Sequence, residues 1–590
     1  MKRHEIIYRR FLRLTRRLTD RQVMMVLAVV VGLLAGLGTW LFELALHAVR
    51  TALTGWMEAG QVGWLYLAYP VVGIIIVSLF VRYVVKDEIS EGVTRVLYAM
   101  SKKSSRIKPH NMWTSLVGGA TTIGFGGSVG PEAPRVLTGA AIGSNVGRFA
   151  RLNYKQTTLL LGCGAGAAVA AIFKAPIAGL VFVLEILMFE MTSVSIVPLL
   201  LATISGTTLA FALRGFDPII AVNVPETFRI ANIPMYAVLG LACGLVAYYF
   251  TSVNSAVARG FRRLDKMWYR WIAGGAILGI LVFVFPPLYG EGYEAFGALM
   301  HGRMETLFEN SLFYEYRAVP WVVILFLVAA LFLKVVATAT TNAAGGVGGT
   351  FAPSLFVGAF TGAAIALICN TFFGMSLPLI SFTLVGMAGV MAGVMKAPLT
   401  SIFLIAELSN GYGLFIPLMI TTAISFVIDY WLDPDSIYTK QLRQRGELLT
   451  HNKDESVFVF LNLEKLMETD FLPIDHAATL GDAVRVISRA RRNVFPVVDP
   501  DGTLAGIVQL DDVRVDMFEP EKYCTPITHY MVQPPERIFP NEQVAEVLKR
   551  FDETATWTLP VVDRDGRYLG FLSKSRILTA YREQLVEISQ

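Results

Sequence analysis

The sequence predicts an all-α polytopic membrane protein, an inverted repeat of broken, tilted helices, followed by a cytoplasmic α/β tandem. Three observations predict it: an apolar composition, a long-range repeat within the apolar region, and a shorter repeat near the C-terminus. Of 590 residues, 54% are hydrophobic and 16% charged, against about 25% charged in soluble domains. Uncharged stretches run Val23 to Phe42, Gln61 to Val81, Met191 to Leu213 and Val335 to Met395. Each reaches the roughly 20 residues that cross hydrocarbon as a helix.

The first stretch is too long for a secretory leader core and lacks a small-residue cleavage site, so it reads as a retained helix. Eight basic residues precede it, Lys2, Arg3, Arg9, Arg10, Arg13, Arg16, Arg17 and Arg21, against the acidic Glu5 and Asp20. The positive-inside rule then places this 1–22 segment in the cytoplasm. A nucleic-acid-binding arm is the competing reading, disfavoured because the cluster abuts a span. Cys163, Cys243, Cys369 and Cys524 are scattered without pairing or neighbouring histidines, which argues against a disulfide framework and a zinc site.

After about Leu432 charges return and strand-like runs, Val494 to Val498 and Ala505 to Val508, alternate with helical segments. Phe495-Pro-Val-Val-Asp-Pro-Asp-Gly502 is matched by Leu559-Pro-Val-Val-Asp-Arg-Asp-Gly566, and Gly506 by Gly570, 64 residues on. A unit of strand, turn, strand and helix repeated at this length is expected to pair with its copy over a shared core. Residues 446–590 thus resemble a tandem of CBS domains, with copies at about 459–525 and 526–590. That resemblance implies either a structural, dimerising pair or a site for an adenosine nucleotide, its ribose held by a Ser/Thr-x-x-Asp motif. The first copy keeps only Asp512 of that motif and the second only Ser573.

The membrane region, residues 23–445, repeats as well, over about 23–215 and 230–431. Gly126-Gly-Ser-Val-Gly-Pro-Glu-Ala-Pro134 aligns with Gly345-Gly-Val-Gly-Gly-Thr-Phe-Ala-Pro353, each position displaced by 219. Downstream, Lys174-Ala-Pro with Glu185 matches Lys396-Ala-Pro with Glu407, displaced by 222. Glycines and a proline within apolar runs break the helix and leave backbone amides without intrahelical partners. Broken backbone at membrane depth is tolerated only when buried in protein or lining a cavity, and its repetition points to a transporter's midplane site. Pro134 and Pro353 suit first helical turns whose free N–H groups and positive dipole ends favour an anion. Close helix packing is the other use of such glycines. The runs Thr157 to Phe173 and Ala175 to Leu184, divided by Lys174-Ala-Pro, read as helices too short or too tilted to span alone.

At these residues the chain resembles the CLC family of chloride channels and proton-coupled chloride exchangers, over about residues 20–445. Gly130-Pro-Glu-Ala-Pro134 is similar to its Gly-Arg-Glu-Gly-Pro motif, which implies a gating glutamate at Glu132. Gly349-Thr-Phe-Ala-Pro353 is similar to its Gly-x-Phe-x-Pro motif, which implies that the Thr350 and Phe351 amides face the central anion. Asp435-Ser-Ile-Tyr438 resembles the segment whose tyrosine hydroxyl closes the inner side of that site. The anion-binding set expected is Ser90, Gly130, Pro131, Glu132, Ala133, Gly349, Thr350, Phe351, Ala352 and Tyr438. An ionisable group at this depth costs about 2.5–3.5 kcal/mol even on lenient scales, which by itself marks Glu132 as functional. Glu185 and Glu407 read as structural hydrogen-bonding groups.

Three positions depart from the family pattern. Pro131 and Ala133 replace the gating motif's arginine and second glycine, and a proline directly before Glu132 restricts its backbone. The family's Gly-Ser-Gly-Ile-Pro motif aligns with Ser90-Glu-Gly-Val-Thr94, putting Glu91 on the serine. Either Ser90 substitutes after a one-residue shift, Glu91 points away, or Glu91 is protonated. The inner glutamate that relays protons in many exchangers falls on Ile186, and Glu91 is a candidate replacement.

The expected activity is transport of chloride or a similar small anion by a homodimer in the cell membrane, both termini cytoplasmic, gated by Glu132 and pH. A channel or uniporter is placed ahead of a proton-coupled antiporter. A CBS-regulated cation transporter is the reading from another class, and it would need inward-facing carboxylates, whereas Val335 to Met395 contains none. No enzyme is expected, because no nucleophile–base pair, metal cluster or phosphate loop is in a credible context. No cofactor or nucleic acid is required.

Overall fold

The computed structural model describes residues 18–54, 65–187, 193–215, 228–409, 411–444, 463–542 and 544–589. The basic residues Lys2 to Arg17 and the 459–462 start of the first C-terminal copy lie outside them. The chain divides into two compact units, Met1–Leu448 and Leu449–Gln590.

The first unit is helical. In order it contains α1 (Asp20–Thr54), α2 (Leu65–Leu79), α3 (Gly92–Lys102), α4 (Thr114–Gly124), α5 (Glu132–Phe149), α6 (Tyr154–Phe173), α7 (Pro176–Glu185), α8 (Ser193–Arg214) and α9 (Ile233–Arg262). It continues with α10 (Met267–Val284), α11 (Tyr293–Met300), α12 (Pro320–Ala343), α13 (Phe351–Phe372), α14 (Leu379–Met395), α15 (Pro398–Leu408), α16 (Phe415–Leu432) and α17 (Ile437–Gln444). Among the described residues nine helical segments are long and apolar enough to cross a membrane, while α7, α14 and α15 are shorter apolar helices.

The break read at Gly345 to Pro353 is present, and one helix is longer than expected. The run Val335 to Met395 comprises the end of α12 and the separate helices α13 and α14, because the chain breaks between Ala343 and Phe351. The helix expected from Thr157 begins at Tyr154 and has 20 residues, a full span. Asn153 extends it: its side chain accepts the Gln156 amide at 2.9 Å, and the Gln156 side chain returns a bond to the Asn153 amide, a capping box that satisfies two orphan donors.

The long repeat is reciprocal in space. The Thr341 hydroxyl oxygen accepts the Ser128 amide at 3.2 Å, and the Thr122 hydroxyl oxygen accepts the Val347 amide at 3.0 Å. Each threonine in turn donates to the carbonyl one turn back, Ala337 and Gly118, both at 2.8 Å. Gly126 and Gly345, at φ +90° and +108°, make the turns after α4 and α12, a conformation that only glycine adopts without penalty. Further on, Glu185 at the end of α7 accepts the Leu399 and Thr400 amides at the start of α15, at 3.0 and 2.7 Å. Glu407 on α15 accepts the Ile177 and Ala178 amides at the start of α7, at 3.1 and 2.8 Å. Each half therefore caps a helix of the other, satisfying amides that lipid cannot.

In the second unit β1 (Ile474–Asp475), β2 (Val494–Val498) and β3 (Leu504–Gln509) form one sheet, and β4 (Thr558–Val562) and β5 (Tyr568–Ser573) another. The matched turns carry Gly502 and Gly566 at φ +86° and +82°. They pair with one another, the Leu504 amide donating to Gly566 and the Tyr568 amide to Gly502, both at 3.0 Å. Phe471, Ile507 and Phe571 form an apolar cluster with contributions from both copies, so the repeat buries a joint core.

Candidate functional site

The two glycine-rich breaks meet. Gly130 donates to the Gly349 carbonyl and Gly349 to the Gly130 carbonyl, both at 2.8 Å, an antiparallel bridge that sets the starts of α5 and α13 side by side. These two N–H groups are spent on each other, so Gly130 and Gly349 shape the site rather than offer donors to a ligand. A Cβ on Gly349 would lie 2.9 Å from the Ala133 Cβ, so the approach requires glycine. Pro131 precedes α5 in a helical conformation, φ −80° and ψ −6°, and leads directly into Glu132.

Glu132 is 2% exposed. Its Oε2 accepts the Ala352 amide at 3.3 Å, and its Oε1 accepts the Tyr293 hydroxyl. The carboxylate thus takes the amide and dipole end of α13 that an anion would take. Tyr438 is 6% exposed, and its phenol lies by the Thr350 side chain just ahead of α13. Phe351 is buried at the first position of α13, its ring 5.5 Å from that of Phe173 and 6.4 Å from that of Phe182. The structure thereby brings together Glu132, Ala352, Thr350 and Tyr438, with Phe351 as an apolar wall.

Glu91 occupies the position just before α3 and is half-buried. Gly92 packs against the backbone of Ala133, where a Cβ would collide with the carbonyl oxygen, so Ser90 and Glu91 approach the start of α5. Thr94 on α3 donates to the Gln441 side chain of α17 at 2.7 Å, tying this loop to the helix that carries Tyr438. The loop is also held from outside the membrane spans. Asp87 meets Lys108, His110 and Arg95 at 3.1, 3.3 and 3.4 Å. Burial alone would raise the Asp87 carboxyl, but Lys108 and Arg95, with His110 beside them, hold it below the ordinary carboxylate value. Ile186 is buried directly after α7 and supplies no titratable group.

Sequence reasoning missed Tyr293, which arrives from the start of α11. A cation clamp holds its loop: Lys334, fully buried on α12, donates to the Gly290 and Leu288 carbonyls at 2.9 and 3.4 Å. Arg50 on α1 pairs with Glu291 at 3.2 Å and Glu294 at 2.9 Å. A lone lysine within an apolar helix was the available signal.

In the second unit Asp512 is exposed on a short helix after β3. Ser573, at the end of β5, donates to Glu468 Oε1 at 3.2 Å and accepts the Arg576 amide at 3.2 Å. Its hydroxyl is engaged within the unit.

Comparison with known proteins agrees with this architecture. The family model described as voltage gated chloride channel matches residues 72–430, more than half of the chain, and the CBS domain model matches residues 463–517 and 527–583. A putative chloride channel protein ClcB-like of Ralstonia nicotianae is 27% identical over 72% of this chain and 98% of its own. An H(+)/Cl(-) exchange transporter ClcA of Vibrio cholerae is 27% identical over 71% of this chain and 88% of its own. The crystal structure of a slow cyanobacterial Cl-/H+ antiporter shares the fold at 23% identity and TM-score 0.63, over 72% of this chain and 98% of its own. The chain is therefore an integral membrane protein that belongs to the CLC family, its membrane unit followed by two CBS domains.

Proposed function

We propose that the membrane unit exchanges chloride for protons across the cell membrane, as a homodimer with one pathway per subunit and with both termini cytoplasmic. One observation carries the reading: the Glu132 carboxylate accepts the Ala352 amide and so fills an anion position at the start of α13. An ionised carboxylate there blocks a halide, and a protonated one loses its hold on the helix end and leaves, so anion passage and proton uptake use one group. The sequence favoured a channel or uniporter because Ile186 stands at the relay position. The Vibrio cholerae relative, named an exchange transporter, weighs toward exchange.

Glu91 is the inner proton group in this proposal. It stands half-buried where its segment packs on the start of α5, within the same unit as Glu132 and directly before α3, which Thr94 ties to the Tyr438 helix. The test is flux from chloride-loaded liposomes under a set proton gradient. Exchange requires uphill proton movement driven by chloride, lost in Glu132→Gln. Chloride leak without proton movement in the unaltered protein overturns exchange in favour of a channel. Glu91→Gln is expected to keep chloride flux and lose the coupled proton, and unchanged proton flux removes Glu91 from the mechanism.

A further inference from the structure

Where α9 turns into α10 the membrane unit carries a basic rim beside an open apolar groove. From Arg259 to Arg270 the chain holds five cations, Arg259, Arg262, Arg263, Lys266 and Arg270, against one carboxylate, Asp265. Arg270 folds back, its Nε donating to the Leu264 carbonyl at 2.9 Å, and closes the turn. The other four are exposed. Arg82, exposed in the π-helical turn Phe80–Val85 that continues α2, joins them with its guanidinium 3.7 Å from the Met267 sulfur. Trp268 and Tyr269, next in the chain, stack on one another and are each 46% exposed.

The groove, about 350 Å³, opens between α9, α10 and α12. Val257, Gly260 and Leu264 wall it from the α9 side, Ala273 and Ile277 from α10, and Val336 from α12. It is open because residue 260 is glycine, where an added Cβ would meet no atom within 4 Å. Gly260 and Leu264 directly follow Arg259 and Arg263, so the cations stand at the groove's mouth.

A basic end of a span marks the cytoplasmic face, and exposed tryptophan and tyrosine settle at headgroup depth. The helix dipole accounts for Arg259 and Arg262 in the last turn of α9. It does not account for Arg263, Lys266 or Arg82, which lie outside that helix. Any acyl chain can cover the apolar walls, but only a headgroup with net negative charge also meets the cations at the mouth. A zwitterionic headgroup brings its own ammonium and gains little.

We propose that this groove binds an anionic phospholipid of the cytoplasmic leaflet, one acyl chain lying between α9, α10 and α12 and the phosphate meeting Arg259, Arg263 and Lys266. The site is independent of which ion the membrane unit carries. Val336 lies about two turns before α12 ends at Ala343, so a lipid held there buttresses the helix that leads into the glycine-rich break before α13.

Native mass spectrometry of the full chain in detergent, titrated separately with phosphatidylglycerol and phosphatidylcholine carrying the same palmitoyl and oleoyl chains, tests this. Phosphatidylglycerol is expected to bind about tenfold more tightly. Replacing the exposed Arg259, Arg263 and Lys266 together by Gln abolishes that preference and leaves phosphatidylcholine binding as it was. Gly260→Leu fills the open space and weakens both lipids. The same three-fold replacement at Arg148, Arg151 and Lys155, exposed in the turn from α5 to α6, leaves the preference intact. Equal affinity for the two lipids in the unaltered chain overturns the site. A preference that survives the first triple replacement, or that falls equally in the second, also overturns it, since general surface charge then suffices.

Discussion

Tyr293 donates its phenolic hydrogen bond to Glu132 across a separation of 161 residues, joining the short helix α11 to the start of α5. This bond ties the gate carboxylate to a group outside either repeat motif. A hydrogen bond to a charged group contributes about 1.5–3 kcal/mol. Tyr293→Phe removes the donor and keeps the ring, which packs against Phe296 at 5.4 Å. Chloride flux at fixed pH is expected to rise about tenfold, since 1.4 kcal/mol is one decade. An unaltered rate in reconstituted Tyr293→Phe protein excludes the latch.

Lys334 acts on the same gate through the loop it holds. Lys334→Met keeps the volume but strands the Leu288 and Gly290 carbonyls that the amine now satisfies, at about 1–3 kcal/mol for each buried group left unmade. Lower thermal stability together with the faster flux of Tyr293→Phe is expected. Because both act through one contact, the double variant should show less than the sum of the two effects on flux. Full additivity separates the clamp from the gate.

The crossed caps predict a purely structural effect. Glu185→Gln and Glu407→Gln each put an amide NH2 against backbone donors that now meet a carboxylate. Each variant is expected to lose about 1–3 kcal/mol, seen as a lower unfolding temperature in detergent, while the half-saturating chloride stays the same. A shift in chloride dependence without a change in stability refutes the structural assignment.

The Asp87 cluster predicts a pH dependence. Its carboxyl lies below the ordinary value in the folded protein because Lys108, Arg95 and His110 outweigh its burial. The contribution is therefore complete above the unfolded carboxylate pKa and is lost as pH falls through the lower folded value. Unfolding followed from neutral pH into the acid range should show this decline in the unaltered protein. Asp87→Asn should be less stable at neutral pH and lose that component of the slope, and identical profiles for the two proteins contradict the anchor.

Both repeats were legible because each copy carries the same glycines, prolines and aspartates at a constant displacement, and Glu132 stood out as an ionisable residue inside an apolar run. Thr122 and Thr341 obey the same 219-residue displacement and were overlooked because a threonine in a membrane helix ordinarily bonds its own preceding turn, which both also do.

Local rules thus determine which segments are helices, where they break and which residues recur, since hydrophobicity, glycine conformation and proline chemistry act over a few bonds. Tertiary structure alone decided that Gly130 meets Gly349, that Tyr293 reaches Glu132, that the glutamates cap across the halves, and that Arg135 lies buried against the Phe42 ring. Those relationships join residues far apart in the chain, where no periodicity records them. They arise because a low-dielectric interior favours amides and charges that are paired, with partners drawn from whichever helix packing brings nearest.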